Sequence, residues 1–386
     1  MTENPFLLRN YARLPLVADS GEGCYLTDTS GKRYLDAIAG IGVNALGYSH
    51  PRITAVIEEQ ARRLIHTSNL ISNGYAGLLA EKLCGISGLN CAFFSNSGTE
   101  AMEAALKAVR AWSRSNGNRL RIVALHNSFH GRTCGSLAVT GQPAIRADFE
   151  PLAFDVTFVE PNDPEALGRA VRPDVAAVVL EPVLGEGGIY PLTIEFLRQA
   201  RALTTDAGAL LIADETQCGL GRTGKHFAFQ WAEIAPDVVV TAKPLAAGIP
   251  IGATLFTEAV ARYLPPHAHG STFGGGPLAC RVALEFLSIL DELLPHICEI
   301  AAELRARLDC LKRCHSVIRE IRAKGMMFGI ELTRPGHDIV RAALDRGLLI
   351  NCTHDTVLRL LPPYILTSAE AAELVRILEE VFTRAV

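Results

Sequence analysis

The sequence predicts an α/β protein with a mainly parallel central sheet and a second, smaller α+β domain. Three observations lead there. Strand-like and helix-like stretches alternate from about residue 75 to 260, the pattern of parallel strands joined by covering helices. Val175–Leu180 is an unbroken apolar run, as expected of a strand buried on both faces. After Pro277 the alternation gives way to a long apolar helical region, which marks a change of domain. A chain of 386 residues has room for two domains. The expected division is 61–276 for the large domain, with 1–60 and 277–386 together forming the small one.

Taken in order, residues 20–36 place the turn residues Gly21, Gly23, Asp28, Ser30 and Gly31 between short strands and predict a hairpin. Residues 40–51 form a glycine-rich loop, after which Pro51 opens a helix to about Leu64. A strand is expected at Cys91–Ser95, a helix at 99–115 and another strand at 121–126. Ile194–Ala207 puts Phe196, Ala200 and Leu203 on one helical face, and Gly208 stops it. Residues 209–213 and Val238–Thr241 are the next strands. Beyond Pro277 the expectations are a helix to about Arg313, strands at 326–332 and 347–350, and a closing helix from Ser368.

A net charge of −4 argues against nucleic acid or an anionic membrane as the main partner. The N-terminal stretch lacks an apolar core of signal-peptide length. The apolar window around Lys243 approaches membrane-spanning length, yet it holds prolines, glycines and a lysine and is not read as a span. The expected location is therefore cytoplasmic. The ten cysteines are irregularly spaced, and no histidine cluster accompanies the closest pair, Cys310 and Cys314; free thiols and no metal site are expected.

The chemistry collects at strand ends. Glu181, Asp214 and Lys243 each follow or finish one of three consecutive strands, and ligands of open α/β sheets sit outside such carboxyl ends. Only seven of the 37 basic residues are lysines, so an amine delivered by an apolar strand stands out. Singly, each has a bland reading: Lys243 as a lysine whose head reaches water, Asp214 as a loop residue or helix cap. Ser97, Gly98 and Thr99 open an alanine-rich helix and suit an anion, although Ser97 with Glu100 also reads as a plain capping box. Residues 126–133, HNSFHGRT, put an aromatic ring beside an arginine. A buried lysine, a carboxylate, a phosphate cup and an aromatic plate together match pyridoxal 5′-phosphate. Neither a Walker loop nor a dinucleotide glycine fingerprint is present, which disfavours a nucleotide-dependent oxidoreductase.

Ordered motifs then run nearly the whole chain: VNALGYSHP, SNSGTEA, FHGRT, EPVLGEGG, DETQCGLGRTG, the lysine segment, HGSTFGGGPLAC and LRLLPPYILT. In these the sequence resembles the class III (subgroup II) aminotransferases of fold type I, and within them the acetylornithine aminotransferases most closely. The resemblance implies Lys243 as the Schiff-base lysine and proton carrier, Asp214 against the pyridine nitrogen, Gln217 on the ring hydroxyl and Phe129 on the ring face. Ser97, Gly98 and Thr99 would hold the phosphate, with Thr272 reaching it from the partner of a homodimer. Arg359 would bind the substrate α-carboxylate, Arg132 the distal carboxylate of glutamate, and Glu186 would pair with the carboxylate arginine and release it. Ser271 and Ile41 are placed at the substrate pocket, Ile41 where ornithine δ-aminotransferases usually have tyrosine. The implied reaction takes the terminal amino group of N2-acetyl-ornithine to 2-oxoglutarate. The same chemistry on another ω-amine, and a non-catalytic cofactor-binding protein, are the alternatives. Gly276, Thr99, Leu184, Pro244 and the pair Ala246 and Ala247 depart from the commonest family pattern without removing a catalytic group.

Overall fold

The computed structural model describes residues 6–384. Its centre is a seven-stranded sheet of β1 (Cys91–Ser95), β2 (Arg121–Leu125), β3 (Asp155–Val159), β4 (Val175–Leu180), β5 (Leu210–Asp214), β6 (Val238–Thr241) and β7 (Gly252–Phe256). The spatial order is β1-β7-β6-β5-β4-β2-β3. Strands β2 to β6 are parallel where they pair, and β7 runs antiparallel to both β6 and β1. After the edge strand β3 the chain returns past β2 to β4, so β4, β5 and β6 lie side by side in sequence order. Their carboxyl ends therefore open together, as the sequence leads one to expect.

Both faces of this sheet are covered, which explains the unbroken apolar runs. The helix Gly98–Ser115 packs Ala101, Met102 and Ala105 against Ile122, Ile212 and Val240. On the other face Ile194–Ala207 packs Phe196, Leu197 and Ala200 against Val178, Leu180 and Leu211. Gly208 ends that helix at φ 62°, a left-handed position glycine takes without penalty.

The remainder is built from both ends of the chain. Strands Ala18–Glu22, Tyr25–Asp28 and Arg33–Asp36 form an antiparallel meander, and Leu348–Leu349 joins its edge in parallel. A second antiparallel sheet runs Ile318–Lys324, Met327–Leu332, Val357–Leu360, Asn351–Thr353. The 38-residue helix Pro277–Cys314 continues through Pro295 and packs with the closing helix Ser368–Arg384 in the largest apolar core. Strands β3, β7, Ile318–Lys324 and Val357–Leu360 were not among the predicted elements. Ile318–Lys324 is half charged, and Val357–Leu360 carries a buried arginine, so neither displays an apolar stripe. Among the described residues no helix is long and apolar enough to cross a membrane, and no His, Cys, Asp or Glu cluster could hold a metal. All ten cysteines are free.

Candidate active site

A cavity of about 470 Å³ opens at the carboxyl ends of β4, β5 and β6. Glu181, Asp214 and Lys243 line it together with Asn96 to Thr99 and Phe129 to Arg132. The three strand-end residues do converge.

Lys243 begins a short 3-10 turn, Lys243–Ala246. Pro244 sits in its first turn, where a missing N–H costs nothing. Leu245 and Ala246 are fully buried against the large core, and Ala247 closes the turn at φ 46°, ψ 42°. The Pro-Leu-Ala-Ala departure thus has a structural account: the turn anchors the lysine from behind by apolar packing. Burial pushes the Lys243 ammonium below its ordinary value, with Arg359 adding to the effect and Glu186 opposing it.

Asp214 is held from two sides. His130 donates from Nδ1 to Asp214 Oδ2 at 2.7 Å, and the backbone N–H of Thr216 donates to Oδ1 at 3.0 Å. Both side chains of the pair are buried. The next residue, Glu215, points away from the cavity, accepting from the Ala228 and Phe229 N–H groups at 2.8 and 2.7 Å. Burial pushes its carboxyl up to about 7. Glu181 accepts from Phe129 N–H at 2.8 Å and Gly185 N–H at 3.1 Å, and burial raises it to about 7 as well. It ties the loop that carries Phe129 to the end of β4.

At the start of the helix Gly98–Ser115, Ser97 caps by accepting from Glu100 N–H at 3.3 Å, while the Glu100 carboxylate takes the Asn96 N–H at 2.5 Å. The capping box is real but displaced by one residue. An added Cβ at Gly98 would lie 2.6 Å from Thr216 Cγ2, so only glycine lets the two segments close here. Thr99 differs from the expectation. Its hydroxyl is committed to Ser136 at 2.7 Å and Thr133 at 3.0 Å and accepts the Arg132 and Thr133 N–H groups, leaving its backbone amide for an anion. Arg132 lies with its guanidinium 5.6 Å from the Phe129 ring centre.

The carboxylate side is layered. Glu186 lines the cavity and bonds to Arg359, which lies behind it and is 1% exposed against 27% for the Glu186 side chain. Gln217 Nε2 donates to Glu186 at 3.4 Å, and Asn351 accepts from Arg359 Nε at 3.3 Å. Burial alone would raise the Glu186 carboxyl; Arg359 and Lys243 outweigh it and hold it below its ordinary value. Ser271 reaches the rim, accepting from Asn96 Nδ2 at 3.3 Å. Thr272 and Ile41 are exposed and do not line the cavity; Val43, two residues on from Ile41, does. His130 carries a role that sequence reasoning did not give it. Its place beside Phe129 in the FHGRT motif was the only available signal.

The residues present fit pyridoxal 5′-phosphate. The oxygen of Gln217 and Nε2 of His130 are buried without partners, the Gly98 amide end is open to an anion, and an amine, a carboxylate and an aromatic ring face one space.

Comparison with known proteins agrees. Residues 7–382 match the family model of class III aminotransferases. Acetylornithine aminotransferase 1 of Bordetella bronchiseptica is 47% identical over 373 residues, covering 95% of each chain. The acetylornithine aminotransferase of Methanocaldococcus jannaschii is 43% identical, over 99% of this chain and 97% of its own. Among solved structures, the ornithine aminotransferase of Toxoplasma gondii superposes with a TM-score of 0.93 at 31% identity, covering 98% of this chain and 93% of that one. N-acetylornithine aminotransferase of Stenotrophomonas maltophilia gives 0.85 at 33%, covering 97% of each. With a cavity of this make-up and matches along its whole length, the chain belongs to the class III aminotransferases.

Proposed function

We propose that this enzyme moves the terminal amino group of N2-acetyl-L-ornithine to 2-oxoglutarate, giving N-acetyl-L-glutamate 5-semialdehyde and L-glutamate. One observation carries the reading: a buried arginine, Arg359, covered by a partly accessible carboxylate, Glu186. Such a pair presents a neutral surface while closed and a cation when Glu186 swings away. That suits a site which takes an amine in one half-reaction and a dicarboxylate in the other. The near-full-length relatives named for acetylornithine support the choice of amine.

Pyridoxal 5′-phosphate supplies an aldehyde for covalent capture of the amine and a ring that withdraws electrons from the reacting carbon. Lys243 would hold it covalently; Gly98, Thr99 and the cap at Ser97 would hold the phosphate, Asp214 the ring nitrogen, Phe129 the ring face and Gln217 the hydroxyl. Burial shifts the Lys243 ammonium downward, which eases the proton loss that a nucleophile and proton carrier at Nζ needs. His130 keeps Asp214 aimed by donating to it from a buried position. Arg359, once released, would take the α-carboxylate of glutamate and Arg132 the distal one.

A homodimer with shared active sites is part of this reading. Leu70, Ile71 and Phe273 are 95%, 63% and 66% exposed, and Asn69 ties their two segments together through the Ser271 and Gly274 carbonyls. An apolar patch of this kind marks an interface. It would carry the exposed Thr272 to a neighbouring cavity. Sedimentation that shows an active monomer would reject it.

A panel of ω-amines with 2-oxoglutarate, followed by glutamate formation, tests the substrate. The acetylated ornithine should have the highest kcat/KM. Faster turnover of free ornithine would overturn the assignment.

A further inference from the structure

Arg222 lies outside the cavity and is fully buried, at 0% exposure. Among the described residues it makes no ion pair, and its Nε and Nη2 have no hydrogen-bond partner. Burial pushes the guanidinium below its ordinary value. Keeping an unpaired cation in a core is costly, and an apolar side chain of similar volume is often as stable or more so. Stability is thus a poor reason for an arginine here.

Its contacts give a better one. Nη1 donates to the Pro362 carbonyl at 2.6 Å and to the Met326 carbonyl at 3.3 Å, and the guanidinium lies 4.4 Å over the Tyr364 ring. Met326 and Pro362 flank the ends of the antiparallel pair Met327–Leu332 and Val357–Leu360, in which Gly329 faces Arg359 and Phe328 faces Leu360. Pro362 and Pro363 have no N–H, so the ladder cannot continue and its terminal carbonyls need another donor. Arg222 is that donor. Its own backbone carbonyl accepts from Met326 N–H at 2.8 Å, doubling the join.

The other end of the same residue belongs to the cofactor wall. Arg222 follows Asp214 and Gln217 on one loop, and Tyr364 binds that loop too, donating to the Leu220 carbonyl at 2.9 Å. The N-terminal loop meets the same junction. Leu361 N–H donates to Ala37, Tyr364 N–H donates to Ala45, and an added Cβ at Gly42 would sit 3.8 Å from Arg222 Nη2. The three chain segments that carry Gln217, Arg359 and Val43 therefore meet around this side chain; Gln217 and Val43 line the cavity, and Arg359 lies behind Glu186.

We propose that Arg222 is a positioning residue that fixes Arg359 relative to the Asp214 and Gln217 wall and so sets affinity for the acidic co-substrate. This rests on the reading of Arg359 as the carboxylate arginine. Arg222 does not line the cavity; it acts through the strand it terminates. A displacement of a binding group by an ångström is enough to change affinity or rate by one to two orders of magnitude.

The test uses the holoenzyme with Arg222→Met, Arg222→Lys and Arg359→Ala. For each, KM and kcat are measured for both co-substrates, together with the visible cofactor band and Tm. Arg222→Met is expected to raise the KM for 2-oxoglutarate roughly 10-fold, with kcat within about threefold, and to leave the amine KM and the band in place. Arg222→Lys, which restores a donor, should recover part of the loss. A variant that loses Tm while both KM values stay put, or degrade together, would show a merely structural residue and overturn the proposal. If Arg359→Ala leaves the 2-oxoglutarate KM unchanged, the underlying assignment of Arg359 fails. If it raises that KM and Arg222→Met does not, only the role of Arg222 fails. Should Arg222→Met not fold, Arg222→Lys carries the same comparison.

Discussion

Two buried acid–base pairs border the same cavity and are built for opposite behaviour. His130 and Asp214 are both closed off from solvent, at 0% and 4% side-chain exposure, and each is tied to its surroundings by a further hydrogen bond. Arg359 is as buried as His130, but its partner Glu186 is 27% exposed and reaches into the cavity. A pair with two buried members can only stay shut, because opening it strands a polar group away from water. A pair with one wet member can open, since water or a substrate carboxylate replaces what is lost. The difference in exposure, more than the difference in residue type, separates a fixed electrostatic element from a movable one.

The largest effect should come from breaking the fixed pair. Asp214→Ala is expected to lower kcat on the order of 10²–10⁴-fold, while His130→Phe, which leaves the carboxylate but not its orientation, should cost about 10- to 100-fold. Steady-state rates with the cofactor loaded to saturation measure both. Equal losses in the two variants would mean that His130 does more than aim Asp214.

The movable pair should respond in opposite directions. Arg359→Ala raises the KM for 2-oxoglutarate roughly 10- to 100-fold, the worth of a charge-assisted hydrogen bond or two. Glu186→Ala lowers it, because the guanidinium no longer has to be released first, and erodes the preference for the amine. If both variants move the KM the same way, the two residues are not a switch.

Stability against pH sharpens the contrast further. Glu215, raised to about 7 by burial, binds a proton in the folded protein that the unfolded chain has lost by then. Its contribution is full below its unfolded pKa and fades as pH rises through about 7. Glu215→Gln should therefore gain on the parent in Tm as the buffer goes from about pH 5 to about pH 8. A constant offset between the two melting curves would refute this. Glu181, raised to the same value, adds in the same direction.

The smallest effect is local. Ala247 occupies a left-handed backbone position at φ 46°, where an L side chain is strained. Ala247→Gly should stabilise the protein by up to about 1 kcal/mol after the extra entropy of glycine is subtracted, read from a urea midpoint.

The fixed side of the site was largely legible in the sequence, and the movable side was legible only through the resemblance. Glu181, Asp214 and Lys243 announce themselves because each ends an apolar strand, and parallel strands in chain order have few ways to be arranged. The phosphate end is readable because a cap, a glycine and a helix are local. Nothing local joins His130 to Asp214, 84 positions apart, or Arg222 to Pro362, 140 apart. Those contacts exist only once the sheet and the C-terminal strands are folded. Thr99 shows the reverse limit: it lines the cavity, but its hydroxyl is taken by Thr133 and Ser136, which no spacing reveals. Of the missed strands, β7 reverses direction inside an otherwise parallel sheet, and its short GATLF segment offers no period to read.

Asp214 and Glu215 are neighbours in sequence with opposite destinations, one toward the cavity and one toward the Ala228 and Phe229 amides. Side chains alternate along a strand, so a slip of β5 by a single residue against β6 would exchange them. The longer acid would then enter the cavity, and the two amides would face the shorter one. The misfolded form would lose its internal hydrogen bonds and its chemistry in the same step. Two adjacent carboxylates thus tie the reading frame of the sheet to the chemistry of the site, since a one-residue slip would cost the internal hydrogen bonds and the cavity acid together.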